Sequence, residues 1–365
     1  MESKLTIPLS KVYMDDDIRQ AVLEALDSGW YILGENVIRF EQKFADFCDI
    51  KYAVCCSSGT AAIFLSLLAL GIGPEDEVIV PSFSFIATTS PVLHVGAKPV
   101  FADIDLRTYT LDPDDVEKKV SKRTKAIIPV HLYGHPANMD PIMDIAEENN
   151  LFVIEDACQS HGAEYNGRKV GGIGHIACFS FYPSKNMTVC GDGGIVTTGD
   201  EEIAMKIQML RNHGRRKKYV HEILGYNLRF NEIQAVIGIK QLDKLPSWIN
   251  NRRKMARTYS DLLKGVTTTP IEESWAKHVY HLYVIRTKER DDLKEHLQKY
   301  GISTGIHYPI PTHRQPAILR YLNPKTTLKN TEECAESVLS LPIYSKQRMS
   351  EVKYVCEKII DFFET

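Results

Sequence analysis

Three short stretches of this chain hold residues whose types could work together on one reaction. Lys185 lies in Phe181-Tyr182-Pro183-Ser184-Lys185-Asn186-Met187, just before Gly191-Asp192-Gly193-Gly194. Upstream, the apolar run Leu151-Phe152-Val153-Ile154 delivers Glu155-Asp156-Ala157-Cys158-Gln159. Further upstream, Cys55-Cys56 leads into Ser57-Ser58-Gly59-Thr60-Ala61-Ala62. A lysine in a small-residue turn and an aspartate at the end of an apolar strand suit the chemistry of pyridoxal 5'-phosphate (PLP). The amine condenses with the cofactor's aldehyde. The carboxylate pairs with the pyridinium nitrogen and keeps the ring an electron sink. The Ser58-Gly59-Thr60 turn supplies a phosphate site: glycine permits close backbone approach, and the first amides of a helix point outward along its dipole. Ser180 can add a hydroxyl to the same phosphate. Phe85, in Pro81-Ser82-Phe83-Ser84-Phe85-Ile86-Ala87-Thr88 after another apolar run, can stack on the pyridine ring.

Each of these residues also has an ordinary use. A lysine is usually at the surface, Ser58 and Asp156 suit helix N-caps, Phe85 suits a core, and Gln159 and His161 suit a loop. Taken jointly the ordinary uses fit poorly. Phosphate turn, Asp156 and Lys185 follow one another, each at the C-terminal end of a strand, which is where α/β folds bind ligands.

The elements that must position them are legible as alternation. Strand-length apolar runs cover 52–56, 77–81, 99–103, 126–130, 152–156, 177–181 and 194–198, with helical patterns such as 60–70 and 139–149 between them. Continuous Val/Ile/Ala runs mark strands covered on both faces, so the fold class is α/β with a mostly parallel sheet sandwiched by helices. The large domain is expected over 13–240. Pro246 and Asn250-Asn251-Arg252-Arg253 mark a change of character. Residues 241–365 mix helices (291–300, 350–363) with short strands (281–286) and read as a smaller C-terminal α+β domain, joined by the N-terminal segment 1–12.

Composition excludes several classes. The 365 residues carry a net charge of -3 and 44% hydrophobic residues, enough for a large core in roughly two domains. No basic face stands out, so no nucleic-acid partner is expected. Arg215-Arg216-Lys217-Lys218 is the one cationic cluster, and such a run is usually a solvated loop; an anionic substrate is the other use. No stretch approaches the roughly 20 apolar residues of a membrane span, and the start lacks a secretory h-region. Eight scattered cysteines without a Cys-x-x-Cys pair suit reduced thiols and a cytoplasmic location. The 12 histidines show no ligand spacing, so no metal site is expected.

Together these residues resemble the DegT/DnrJ/EryC1/StrS family of sugar aminotransferases, within the fold-type I PLP enzymes. The likeness runs almost end to end. Its markers are Ser28-Gly29-Trp30-Tyr31-Ile32-Leu33-Gly34, Ser58-Gly59-Thr60-Ala61-Ala62, Glu155-Asp156-Ala157-Cys158-Gln159-Ser160-His161-Gly162-Ala163 and Ser180-Phe181-Tyr182-Pro183-Ser184-Lys185-Asn186. Leu210-Arg211-Asn212-His213-Gly214, Gly225-Tyr226-Asn227-Leu228-Arg229, Tyr280-His281-Leu282-Tyr283 and Gly305-Ile306-His307-Tyr308-Pro309 follow. The resemblance implies a homodimer with active sites at the subunit interface, in which Asn227 reaches the phosphate in the neighbouring subunit. It implies that Gly59 and Thr60 hold the phosphate, that Gln159 bonds the cofactor's phenolic oxygen and that Phe85 covers the ring. Tyr31, Arg229, His307 and Tyr308 match segments lining the sugar-nucleotide cleft of relatives, with loop packing or ion pairing as the alternative for each.

The resemblance also implies an activity. Relatives that remove a sugar hydroxyl carry His in place of Lys185, so Lys185 favours transamination. The expected reaction moves an amino group from glutamate to a nucleotide-linked keto-sugar. Trp30-Tyr31-Ile32-Leu33-Gly34 looks more like the enzymes of 3-keto sugars, which leans toward a dTDP-3-keto-6-deoxyhexose and a 3-amino product. A 4-keto acceptor linked to UDP or GDP is the alternative. A non-catalytic PLP-binding regulator would need only the phosphate site and the lysine, but no segment resembles an appended DNA-binding domain. A PLP lyase or dehydratase acting on small amino acids is disfavoured by the sugar-cleft motifs.

Overall fold

The apolar runs become one seven-stranded sheet in the computed structural model, which describes residues 6–322 and 326–364. Its strands are β1 (Tyr52–Cys56), β2 (Glu77–Pro81), β3 (Lys98–Ala102), β4 (Thr124–Ile127), β5 (Phe152–Asp156), β6 (Ile176–Ser180) and β7 (Gly194–Thr198). They lie in the order β1-β7-β6-β5-β4-β2-β3. From β6 to β3 all neighbours pair in parallel, and β7 alone runs against its neighbours β1 and β6. The sheet is therefore mainly parallel, as the continuous apolar runs predict. β4 is shorter than the run over 126–130 because Pro129 has no amide for the ladder; Val130 regains a single bridge to Asp156.

Helices cover both faces. They include α1 (Asp16–Asp27), α2 (Glu35–Cys48), α3 (Gly59–Ala69), α4 (Met139–Asn149), α5 (Glu201–Leu210) and α6 (Glu232–Leu262). Alternate strand residues feed two cores: Val153 and Phe179 join Phe40 and Phe44 of α2 on one face, while Ile154 and Cys178 join Leu65 of α3 on the other. The segment carrying Pro246 is helical throughout. Pro246 is exposed, and a buried stripe of Leu242, Leu245, Trp248 and Ile249 carries α6 past it. The division expected near residue 240 thus falls inside α6. This helix starts in the large core at Ala235 and Ile239 and ends in a third core at Met255 and Tyr259.

That third core belongs to a smaller module. β8 (Tyr283–Arg286) pairs antiparallel with β9 (Val338–Leu341) under α7 (Arg290–Lys299) and α8 (Met349–Glu364). The N-terminal segment joins it through an Ile7–Ile302 bridge and the Ile343 amide bonded to the Leu9 carbonyl; residues 1–5 of that segment lie outside the described residues. A seam of Phe83, Tyr109, Leu132 and Tyr133 against Leu282, Val284 and Val338 joins the two modules. All eight cysteines are free thiols. Among the described residues no helix is long and apolar enough to cross a membrane.

Candidate active site

The C-terminal ends of the parallel strands meet this seam at a cleft of about 470 Å³. Ser58, Gly59, Thr60, Phe85, Asp156, Gln159, Ser180, Lys185, His307 and Tyr308 all line it. Ten residues scattered over most of the chain converge because strand ends and the loops after them share one edge of the sheet.

Asp156 closes β5 and is buried. Its Oδ2 accepts from the Thr88 hydroxyl at 2.7 Å and its Oδ1 from the Cys158 amide at 3.2 Å. The Thr88 hydroxyl is itself 2.8 Å from that of Ser84. The bonds from Thr88 and Cys158 fix the orientation of the carboxyl group.

At the helix start, Ser58 caps α3: its hydroxyl accepts from the Ala61 amide at 3.0 Å. With the serine so used, the amides of Gly59 and Thr60 are the first-turn donors left for a ligand. Gly59 is required by contact rather than by torsion. A Cβ there would lie 2.7 Å from Ser180 Cβ and 2.8 Å from Cys158 Sγ. A side chain at Gly194 would meet the Ser58 carbonyl oxygen at 2.3 Å. Two glycines thus let β6, β7 and the helix start crowd together.

Lys185 follows β6 in a tight turn, its amide bonded to the Tyr182 carbonyl at 2.8 Å. Bonds from Asn186 to the Val279 carbonyl (3.2 Å) and from Thr188 to the Phe181 carbonyl (2.9 Å) fix the loop around it. Burial lowers the lysine's pKa from the ordinary value, partly opposed by Cys158 and Asp156. Around it stand histidines held neutral. Burial, reinforced by the Lys185 charge, pushes His307 down to about 4 and His161 to about 3, and lowers His281 well below the usual range.

The side chains of the outer wall are tied together. Gln159 accepts from the Tyr133 amide at 2.8 Å and donates to the Tyr308 hydroxyl at 3.1 Å. Phe85, 54% exposed, packs at 5.9 Å between ring centroids on Tyr308. His307 Nδ1 is 2.8 Å from the Ser340 hydroxyl.

Three sequence candidates stand apart from the cleft lining. Tyr31 is exposed and donates to the Leu26 carbonyl at 3.2 Å. Asn227 is exposed beside Asn212, and Arg229 donates to the Asn212 side chain at 3.1 Å. Arg215–Lys217 form an exposed hairpin with Val220–His221. Sequence reasoning missed Thr88 and Ser84, the hydroxyls behind Asp156, and did not single out His281, whose buried Nδ1 has no partner among the described residues. The spacing of Ser84 and Thr88 in the stretch that holds Phe85 was the available signal. Among the described residues no three His, Cys, Asp or Glu side chains cluster as metal ligands.

The donor set fits PLP: two helix-start amides over a glycine that tolerates no side chain, a buried hydrogen-bonded carboxylate, a lysine of lowered pKa and an aromatic flank. The profile of the DegT/DnrJ/EryC1/StrS aminotransferase family matches residues 12–360. The chain belongs to this family. It is 45% identical over 325 residues to dTDP-3-amino-3,4,6-trideoxy-alpha-D-glucose transaminase of Streptomyces venezuelae, covering 88% of this chain and 86% of that one. It is 42% identical over 363 residues to a Geobacillus stearothermophilus protein named pleiotropic regulatory protein, covering 98% of each. The X-ray structure of S. venezuelae DesV matches with a TM-score of 0.96 at 41% identity, covering 99% of both chains. Solved neighbours of this family member include forms with PLP and with its amine form.

Proposed function

We propose that the protein is a PLP-dependent aminotransferase that moves an amino group from glutamate to a nucleotide-linked keto-sugar. The observation that carries this is the meeting of Lys185, Asp156 and the Ser58–Gly59–Thr60 turn in one cleft, in a chain of this family. Bound PLP supplies an electron sink that lets a proton leave an amine-bearing carbon. The amides of Gly59 and Thr60, with the Ser180 hydroxyl, hold its phosphate. Asp156 keeps the ring nitrogen protonated, and Thr88 and the Cys158 amide hold its carboxyl group in place. Gln159 bonds the phenolic oxygen and Phe85 covers one ring face. Lys185 Nζ takes the proton from the donor's Cα and in the second half of the cycle returns one to the sugar carbon that gains nitrogen. Its lowered pKa favours the neutral amine that this task needs.

The working unit is a homodimer in this proposal, with Asn227 of the partner subunit completing the phosphate site. Tyr31, Arg229, His307 and Tyr308 face the sugar nucleotide. The free thiols suit a reducing compartment, and we place the protein in the cytoplasm. The Trp30–Gly34 segment and the name of the Streptomyces venezuelae relative favour a dTDP-linked 3-keto-6-deoxyhexose over a 4-keto acceptor. The name of the Geobacillus relative favours a second reading, a regulator that binds PLP without turnover. One experiment separates all of these: PLP-loaded protein, glutamate and a panel of dTDP-, UDP- and GDP-linked 3-keto and 4-keto sugars, with products identified by NMR. A 3-amino dTDP-sugar is expected. Efficient amination of 4-keto isomers alone would overturn the regiochemistry, and no turnover with any acceptor would leave the regulator.

A further inference from the structure

Glu155 and Asp156 are neighbours on β5, so their side chains leave the strand on opposite faces. Asp156 lines the cleft; Glu155 does not, and it is fully buried. A buried carboxylate persists only with partners, and Glu155 has four donors. Its Oε2 accepts from His131 Nε2 and from the Gly171 amide, both at 2.9 Å. Its Oε1 accepts from the amides of Ile173 (2.9 Å) and Gly174 (2.7 Å). Burial alone would raise its pKa, but the hydrogen bonds from His131 and from the amides of Gly171 and Gly174 hold it below the ordinary value. The glycines are what let the loop come so close: a Cβ on Gly171 would meet Phe179 at 2.6 Å and one on Gly174 the Val153 carbonyl oxygen at 2.9 Å.

His131 ties the same assembly from the other side. It too is fully buried. Its Nδ1 accepts from the Ala137 amide at 2.9 Å, which assigns the Nε2 proton to the bond with Glu155. Its own amide donates to the Asp156 carbonyl at 3.1 Å, and the Asp156 amide donates to the Pro129 carbonyl at 2.8 Å. These bonds replace a missing ladder. β4 pairs with β5 only at Ala126–Phe152 and Ile127–Val153. Beyond Ile127 the β4 side of Asp156 is held by Pro129 and His131 alone.

We propose that Glu155 and His131 are positioning residues for Asp156: acting through the end of β5, they set its carboxylate against the ring nitrogen of PLP. The proposal rests on the PLP function given above. A misplacement of about 1 Å at such a site costs roughly 10²-fold in rate.

The test uses the PLP-loaded enzyme in three single variants and one double. Glu155→Gln places an amide nitrogen among the donors that now face a carboxylate. His131→Asn can keep an acceptor for Ala137 while removing the donor to Glu155, and it serves if Glu155→Gln does not fold. Asp156→Asn is the reference. The readouts are the ¹⁵N shift of ring-labelled PLP, which reports protonation of the ring nitrogen, and the single-turnover rate with glutamate. Glu155→Gln and His131→Asn should each slow the rate about 10- to 100-fold and move the ring signal toward its unprotonated position. In the Asp156→Asn background, Glu155→Gln should change the rate less than about twofold, because residues acting through one group are not additive. A wild-type signal and rate in a folded Glu155 or His131 variant overturns the proposal, as do losses that multiply in the double variant. If Asp156→Asn itself moves neither readout, the role given to Asp156 fails first and the proposal falls with it; the two failures are distinguished by that one reference variant.

Discussion

Gly59→Ala is the sharpest perturbation of the phosphate end. The added methyl would sit 2.7 Å from Ser180 Cβ, 2.8 Å from Cys158 Sγ and 3.3 Å from Ser180 Cα. The first two separations are closer than such atoms approach, so the end of β6 or the start of α3 must move. Both carry the groups proposed to hold the phosphate. Overpacking by one methyl in a tight site costs about 1–3 kcal/mol, which corresponds to roughly 5- to 150-fold in affinity if it falls on the cofactor complex. The assay is PLP titration of the apoprotein followed by absorbance, with melting curves of the apoprotein beside it. Affinity should drop within that range. Cys158→Ala in the same background removes the sulfur 2.8 Å away and should recover part of the loss. Wild-type PLP affinity in Gly59→Ala would refute the claim that the helix start and β6 are held at their present spacing by the absent side chain.

Three further outcomes follow from the same geometry. Asp156→Asn should still bind PLP but lose roughly 10²-fold or more in turnover, the scale of one preorganised electrostatic group; near-normal turnover would assign the ring's partner elsewhere. Mixing Lys185→Ala with Asn227→Ala subunits should restore activity in heterodimers, since one of their two sites then has both residues intact; no recovery under proven subunit exchange would place Asn227 outside the neighbour's site. The protein should lose stability as pH falls from about 6.5 toward 4. His135 and His307, pushed to about 4, and His161, pushed to about 3, all chiefly by burial, stay neutral in the fold and protonate in the unfolded chain over that window. Urea midpoints at pH 7, 6 and 5 measure this, and equal midpoints would contradict it.

The sequence made the sheet and the site legible for a shared reason. Continuous apolar runs mark buried parallel strands, and the polar residue that ends each run sits at the edge where ligands bind. Lys185, Asp156 and Gly59 could therefore be placed without coordinates. What escaped depends on contacts between distant segments. Thr88 reaches Asp156 only because β2 and β5 flank β4 in the sheet. The Glu155–His131 pair requires Pro129 to end β4 early. Pro246 reads as an interruption because the proline signal is local, whereas the buried stripe that carries α6 through it is set by two cores at once. Tyr31, Asn227 and Arg229 lie away from the cleft lining of a single chain, and the subunit-mixing experiment decides whether a second copy brings Asn227 to it.

Borohydride reduction of the PLP-loaded protein, followed by peptide mapping, tests the central claim most directly. An absorbance band near roughly 400 nm should disappear on reduction, and the cofactor should be found on the peptide carrying Lys185. Lys185→Ala should show neither the linkage nor transamination. Attachment to another lysine, with Lys185→Ala still transaminating, would contradict the account.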